Sequence, residues 1–320
     1  MFQTLKAIDF HDFAVLVIGS EGFLGREVVG QLIRSGAVVY GVDVREASNP
    51  PYVYRQADLV DASSRSLVLS EFMQLECEKR AVVYMAGIGN VAYCEQNPAD
   101  AYLKNVELPR VILKEGVQKG VSRYIFPSSA LVYGGQYRRA VRETDRTIPL
   151  SVYARLKKEL EEVVCQYCED YRCYCDVVRI GNVYGRSLKV DSVLGEIVRQ
   201  LGEGVDTIRI RTLKPVRDYI FIEDVAIGIA HLLYTQNEPG CDVVNLAYGK
   251  GVSVADLVAL VEKMMGRKCR VVELEGDDTE IPYLVMDIDR LKRRTGWVPG
   301  VSLEEGLSLA LGNRAESVIQ

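Results

Sequence analysis

A short apolar run that breaks at Gly19-x-x-Gly22-x-x-Gly25 and resumes as an amphipathic helix leaves a chain few ways to fold. Residues 13–19, FAVLVIG, are almost wholly apolar, as a strand covered on both faces requires. The next stretch places Val28, Val29, Leu32 and Ile33 on one helical face, and Gly36 is the expected stop. A second β-rich run, residues 38–43, ends in Asp43. Here Gly19 permits the tight turn, Gly22 lets the backbone approach a pyrophosphate, and Gly25 lets helix and strand pack closely. A pyrophosphate so placed sits at the positive end of the helix dipole. Asp43 is then positioned to accept hydrogen bonds from both ribose hydroxyls, and its charge repels a 2′-phosphate. NAD is therefore expected over NADP, with Arg45 close enough to keep NADP open.

The same rhythm continues. Apolar runs at 81–87, 123–129 and 175–180 alternate with helical patterns at 98–119 and 151–171. Alternation of this kind predicts an α/β fold, a doubly wound parallel sheet with helices on both faces. Past residue 181 the pattern loosens into helices at 191–203, 223–235, 253–265 and 302–311, with short strands at 207–211, 243–247 and 270–274. This predicts a first domain over 1–180 and a smaller α/β substrate domain over 181–320. The segment around 216–247 is expected to return to the first. Ligands of open α/β sheets bind at the C-terminal strand edge where the two meet.

Composition narrows the chemistry. The chain has 39 basic and 44 acidic residues, a net charge of −5, which argues against a nucleic-acid partner. It has 2 histidines, His11 and His231, so histidine-rich metal sites and Ser-His-Asp arrangements are poorly supported. No apolar stretch reaches a membrane-spanning length, and the N-terminal residues do not read as a secretory signal. The expectation is a cytoplasmic protein whose 8 cysteines are reduced thiols. Cys165, Cys168, Cys173 and Cys175 lack the separation between ligand pairs that a zinc site uses, and they read as small apolar residues rather than a metal site.

A second constellation is Tyr153-x-x-x-Lys157, two residues on one helical face. A free phenol titrates near 10 and is a poor base at neutral pH. A neighbouring ammonium and the positive ring of oxidised NAD both favour the phenolate. Spacing alone fits a solvated helix surface equally well. Ser128 and Ser129, ending the strand upstream, add a hydroxyl able to hold a reacting oxygen.

With these residues in view, the chain resembles the extended short-chain dehydrogenase/reductases, in particular the NAD-dependent nucleotide-sugar epimerases and dehydratases typified by UDP-glucose 4-epimerase. The likeness runs through GSEGFLG (19–25), Asp43, Asp58-Leu59, MAG (85–87), Asn105, SSALVYG (128–134), YARLK (153–157), RIGNVYG (179–185), RDYIFIEDVA (217–226), VNLA (244–247) and GWVPGVSLEEGL (296–307). It implies a Rossmann-type first domain with cofactor contacts from Gly19, Gly22, Phe23, Leu24, Gly25 and Asp43. Asp58 and Leu59 would border the adenine, with Ala86, Gly87 and Asn105 further along the cofactor. It further implies Ser129, Tyr153 and Lys157 as the catalytic set, Tyr153 and Lys157 also touching NAD. Ser129, Asn182, Arg217 and Arg290 would contact the nucleotide sugar, Arg217 clamping its diphosphate as a guanidinium fork suits. A homodimer is implied as well.

Two departures bear on reaction type. The residues before Val-Tyr-Gly are Ala130 and Leu131, where the resembling 4,6-dehydratases carry an acidic pair. RTLKP (211–215) replaces a glycine-rich turn, and Cys94 stands where serine is frequent. The expected activity is 4-epimerisation of a nucleotide sugar, a UDP-sugar first, through a transient 4-keto sugar. The alternative is a nucleotide-sugar reductase or dehydrogenase using the same residues. A non-catalytic dinucleotide sensor is disfavoured by the intact Ser129/Tyr153/Lys157 set.

Overall fold

The computed structural model describes residues 8–186, 192–235, 238–274 and 281–315. The N-terminal residues 1–7 and residue 191, where a helix was expected to begin, lie outside these. The strands are β1 (Phe13–Ile18), β2 (Val38–Asp43), β3 (Val53–Gln56), β4 (Lys79–Tyr84), β5 (Arg123–Ser129), β6 (Tyr174–Ile180), β7 (Asn182–Tyr184), β8 (Thr207–Ile210), β9 (Val216–Phe221), β10 (Gly240–Leu246), β11 (Gly251–Ser253), β12 (Arg270–Glu273) and β13 (Tyr283–Leu284). The helices are α1 (Phe23–Arg34), α2 (Ala62–Met73), α3 (Val91–Gln96), α4 (Pro98–Tyr102), α5 (Leu108–Gln118), α6 (Val152–Tyr171), α7 (Val193–Gly202), α8 (Ile222–Tyr234), α9 (Val254–Met265), α10 (Asp289–Thr295) and α11 (Leu303–Ala315).

Seven strands form one sheet in the order β10-β6-β5-β4-β1-β2-β3, every neighbouring pair parallel. This is the Rossmann-type arrangement. Along β1 the side chains alternate between two cores. Phe13, Val15 and Val17 face α1 and α8, whereas Ala14, Leu16 and Ile18 face α2, α5 and α6. Both faces are therefore buried, which is why β1 reads as a continuous apolar run rather than an alternating one.

The helix expected over 98–119 is broken. Between α4 and α5 lies a π-helical turn, Leu103–Glu107. Pro109 has no N–H to return to the carbonyl four residues earlier, so the ladder is interrupted there. The turn carries Asn105 into the core, where it is buried. Elements absent from the pattern reading are β3, β7, β9, β11, β13, α2, α3 and α10. Most are short or lack a clean apolar stripe, as in α2 with its run of serines.

The C-terminal part builds a core of its own, with Ile197, Val198 and Leu201 of α7 meeting Leu257, Val258 and Val261 of α9 and Phe221 of β9. It is fastened to the large sheet by two buried aspartates. Asp218 accepts N–H bonds from Tyr248 (3.0 Å), Gly249 (3.1 Å) and Met286 (3.1 Å). Burial pushes its carboxyl up to about 7, although those N–H groups pull it down. Asp224 accepts from Gly300 and Val301 in the same manner. Asp218→Ala leaves three buried N–H groups unpaired and should cost on the order of 3 kcal/mol in chemical denaturation. An unchanged midpoint would show that water replaces the carboxylate without loss.

Candidate active site

The glycine-rich turn joins β1 to α1 with no room for side chains at two points. Gly19 has φ +83°, and a Cβ there would lie 2.6 Å from the Ala86 backbone nitrogen. A Cβ on Gly25 would come within 1.9 Å of the Gly19 carbonyl oxygen. Gly22 donates its N–H to the Gly19 carbonyl at 3.0 Å and stands as the N-cap of α1 without a side-chain cap. The first N–H groups of α1 are thus left for a ligand's phosphates. Phe23 opens α1 beside Gly185, and Leu24 packs onto the core.

Asp43 ends β2, buried, its carboxylate accepting the N–H groups of Glu21 and Arg45, both at 3.0 Å. Glu21, inside the turn, is a second buried carboxylate held by Tyr52 (2.5 Å) and Arg26 (3.0 Å). Arg45 places its guanidinium on the Glu21 carbonyl at 2.8 Å. Beyond β3, Asp58 closes a turn on the Val60 N–H at 2.9 Å, and Leu59 enters the core. Gly87 follows β4. Asn105 spends its whole amide on Ile88, accepting its N–H at 2.8 Å and donating to its carbonyl at 3.0 Å. Its role in this geometry is to pin the loop carrying Ala86 and Gly87. These residues fit a dinucleotide: two glycines where a Cβ is impossible, open N–H groups, and a carboxylate at the end of the second strand.

At the C-terminal end of β5, Ser129 faces the start of α6. Its hydroxyl accepts the Leu131 N–H at 3.2 Å and is near enough to the Tyr153 phenol to favour its ionised form. Ser151 caps α6 through the Ala154 N–H at 3.1 Å, which sets Tyr153 in the first turn and Lys157 one turn on. Burial pushes the Tyr153 phenol up to about 12, and the nearby Ser129 hydroxyl pulls it down. Lys157 stands beside the Tyr153 ring. Its Nζ lies 5.9 Å from the ring centroid and donates to the Pro127 carbonyl at 2.9 Å. Burial drives Lys157 itself down to about 8, with Cys94 and Glu161 opposing.

Glu161 was not singled out from the sequence, although its i+4 spacing from Lys157 was the available signal. It is buried one turn below Lys157. There it accepts the Ser128 hydroxyl at 2.6 Å and takes both arms of the Arg179 guanidinium at 2.8 and 2.7 Å. Arg179 also lies over the Tyr133 ring at 4.7 Å, and Tyr133 bonds Asn245 at 2.6 Å. The two serines ending β5 thus have different work, Ser128 joining α6 to the sheet and Ser129 facing Tyr153.

Register carries the site onward: Ser129 pairs with Ile180, and two residues later Asn182 opens β7. Asn182 and Arg217 line one cavity of about 580 Å³, together with Tyr184, Tyr219, Arg209 and Arg211. Arg290 is not brought there. It bonds Asp242 (2.7 Å) and the Val243 carbonyl (2.9 Å). Asp242 pairs in register with Asp176, four residues before Ile180, hence roughly 13 Å down the sheet from the crevice.

The sequence pattern of the NAD dependent epimerase/dehydratase family matches residues 15–247. The chain belongs to this family. Among its relatives, a UDP-glucuronate 4-epimerase of Thermodesulfobacterium geofontis is 25% identical over 95% of this chain and 96% of its own. A UDP-glucose 4-epimerase of Bacillus subtilis is 27% identical over 91% and 94%. The UDP-glucose 4-epimerase of Thermotoga maritima, solved with UDP-glucose, superposes with a TM-score of 0.83 at 24% identity, covering 95% of this chain and 99% of that one. That of Thermus thermophilus, solved with NAD, gives a TM-score of 0.82 at 24% identity, covering 93% and 98%.

As a member of the NAD dependent epimerase/dehydratase family, the protein uses NAD, in keeping with Asp43. Among the described residues no helix is long and apolar enough to cross a membrane. Likewise, among the described residues no three His, Cys, Asp or Glu side chains are grouped to hold a metal ion. The cysteines depart from expectation. Cys165 forms a disulfide with Cys241, so the 8 are not all thiols. β10 returns to the sheet beside β6, and α6 packs over it, which brings together residues separated by 76 positions. Cys168, Cys173 and Cys175 are buried in the core beneath α6.

Because burial lowers Lys157, the folded protein resists its charge, and the penalty is full below about 8. It fades as pH rises from about 8 toward the ordinary lysine value. Lys157→Met should therefore raise Tm by a few degrees at pH 7 while abolishing turnover. The gain should shrink on titration toward pH 10; a variant less stable than wild type at pH 7 would show that the Pro127 contact outweighs burial.

Proposed function

We propose that the protein is a UDP-sugar 4-epimerase in which Tyr153 moves the proton and Ser129 and Lys157 support it. The observation that carries this is the juxtaposition of Ser129 and Tyr153 at the strand edge, with Ser129 paired to Ile180 two residues before Asn182, which lines a cavity with Arg217. The relatives' names, 4-epimerases of UDP-glucose and UDP-glucuronate, support the substrate class. The glycine turn and Asp43 would hold NAD, which when bound would accept and return the C4 hydride. Tyr153 takes the proton of the sugar 4-hydroxyl and later returns it, so the 4-keto sugar is transient. Ser129 would hold the reacting oxygen, and Lys157, beside the Tyr153 ring, would favour the phenolate and bond the ribose of bound NAD. Arg217 and Asn182 anchor the nucleotide diphosphate while the keto sugar presents its other face.

Ala130 and Leu131 separate this reading from dehydration. Both sit in the short helical turn after Ser129, Ala130 buried and Leu131 against Val132, Tyr133 and Met286. Eliminating water across C5 and C6 needs groups that exchange protons, and neither side chain can. The proposal includes a cytoplasmic homodimer and a division near residue 180 into cofactor and substrate domains. The separate C-terminal core of α7, β8 and α9 supports that division.

Incubated with a UDP-hexose in D2O without added cofactor, the protein should yield the 4-epimer with no deuterium at C5. Release of a 4-keto-6-deoxy sugar, or a stoichiometric need for NAD or NADH, would refute the reading. Tyr153→Phe should lose about 10²- to 10⁴-fold in turnover, as a general acid–base group does, with bound NAD retained. A variant keeping a tenth of wild-type activity would mean that another residue carries the proton.

A further inference from the structure

We infer that Arg209 and Arg211, on β8 and just beyond it, form the second half of the diphosphate clamp, the place that Arg290 does not fill. The inference rests on reading the cavity as a nucleotide-sugar site. Both arginines line the same cavity of about 580 Å³ as Arg217 and Asn182. Strand alternation puts residues 209 and 211 on one side, away from Ile208 and Ile210, which are buried in the C-terminal core.

Three features make this a prepared site rather than a solvated strand face. First, β8 is fixed on both edges. One edge pairs in parallel with β12. On the other, the buried Gln200 amide acts as a strand surrogate, accepting the Arg209 N–H at 2.8 Å and donating to its carbonyl at 2.9 Å. Second, the guanidiniums are unspent, since among the described residues no carboxylate pairs with Arg209 or Arg211. Among the described lining residues the one acidic side chain, Glu196, is engaged by Arg199 at 2.7 Å. Third, among the described residues the cavity sets Arg209 and Arg211 beside Arg217 and Asn182, a set of donors suited to a dianionic diphosphate. Arg290 cannot contribute, committed as it is to Asp242 at 2.7 Å.

The test is titration calorimetry of UDP and of uridine into wild type, Arg209→Gln, Arg211→Gln and the double variant, at low and high salt. Tm is measured alongside. The Gln200 bonds go to the main chain, so these substitutions leave β8 in place. The double variant should bind UDP about tenfold more weakly or worse, the scale of a lost charge-assisted contact, with uridine unchanged. Its UDP affinity should also depend less on salt. Turnover of a UDP-sugar should show a raised KM with kcat nearly kept, because the clamp acts in ground and transition states alike. Unchanged UDP affinity in the double variant, or uridine weakened as much as UDP, overturns the inference and leaves the function standing. Wild-type protein that binds no UDP overturns both.

Discussion

Glu161 holds the start of α6 in register with the end of β5. It stands on α6, receives both arms of Arg179 from β6 and the hydroxyl of Ser128 from β5, and is buried with them. A helix bears on a sheet mainly through apolar packing, which tolerates sliding and rotation. A bidentate guanidinium–carboxylate pair does not, because its two bonds are planar and directional. With α6 fixed on β5 and β6, Tyr153 must face Ser129, and Lys157 must meet the Pro127 carbonyl at 2.9 Å. The network continues through Tyr133 to Asn245, whose amide donates to the Val141 and Asp287 carbonyls at 3.0 and 3.1 Å. One buried ion pair therefore aligns Ser129, Tyr153 and Lys157 with the segments around Val141 and Asp287.

The electrostatics of the site follow from its dryness. Burial raises the phenol to about 12 and lowers the ammonium to about 8, so each group is pushed toward its neutral form. A buried ammonium bonded to a carbonyl, with Glu161 one turn away, is kept at a cost to stability. Sites that hold charge out of water carry such costs where function requires the charge. Arg209, Arg211 and Arg217 line the neighbouring cavity, and there, among the described residues, Glu196 is paired with Arg199.

Much of this was legible in the residues. The turn at Gly19 and Gly25 reads from sequence because a Cβ is impossible there, and local sterics need no distant partner. Tyr153 and Lys157 were legible because helical periodicity alone places them together. Asp43 followed from its position at a strand end. Arg290 failed as a phosphate contact because its direction is set by Asp242, on a strand 48 residues earlier in the chain. Asn105 was found, yet its amide serves the Ile88 backbone rather than standing free. Cys165 was grouped with its sequence neighbours, whereas its partner arrives from β10.

By itself the sequence determined whatever depends on neighbours within a turn or two of chain: buried parallel strands, helix faces, the glycine turn and the Tyr153–Lys157 spacing. Tertiary structure decided which charged groups are spent and which are free. Arg179 and Arg290 are consumed by Glu161 and Asp242, whereas Arg209 and Arg211 line the cavity with no carboxylate paired to them among the described residues. The physical reason is range. Steric and periodic constraints act between residues close in sequence, whereas an ion pair is made wherever the fold brings opposite charges within a few ångströms.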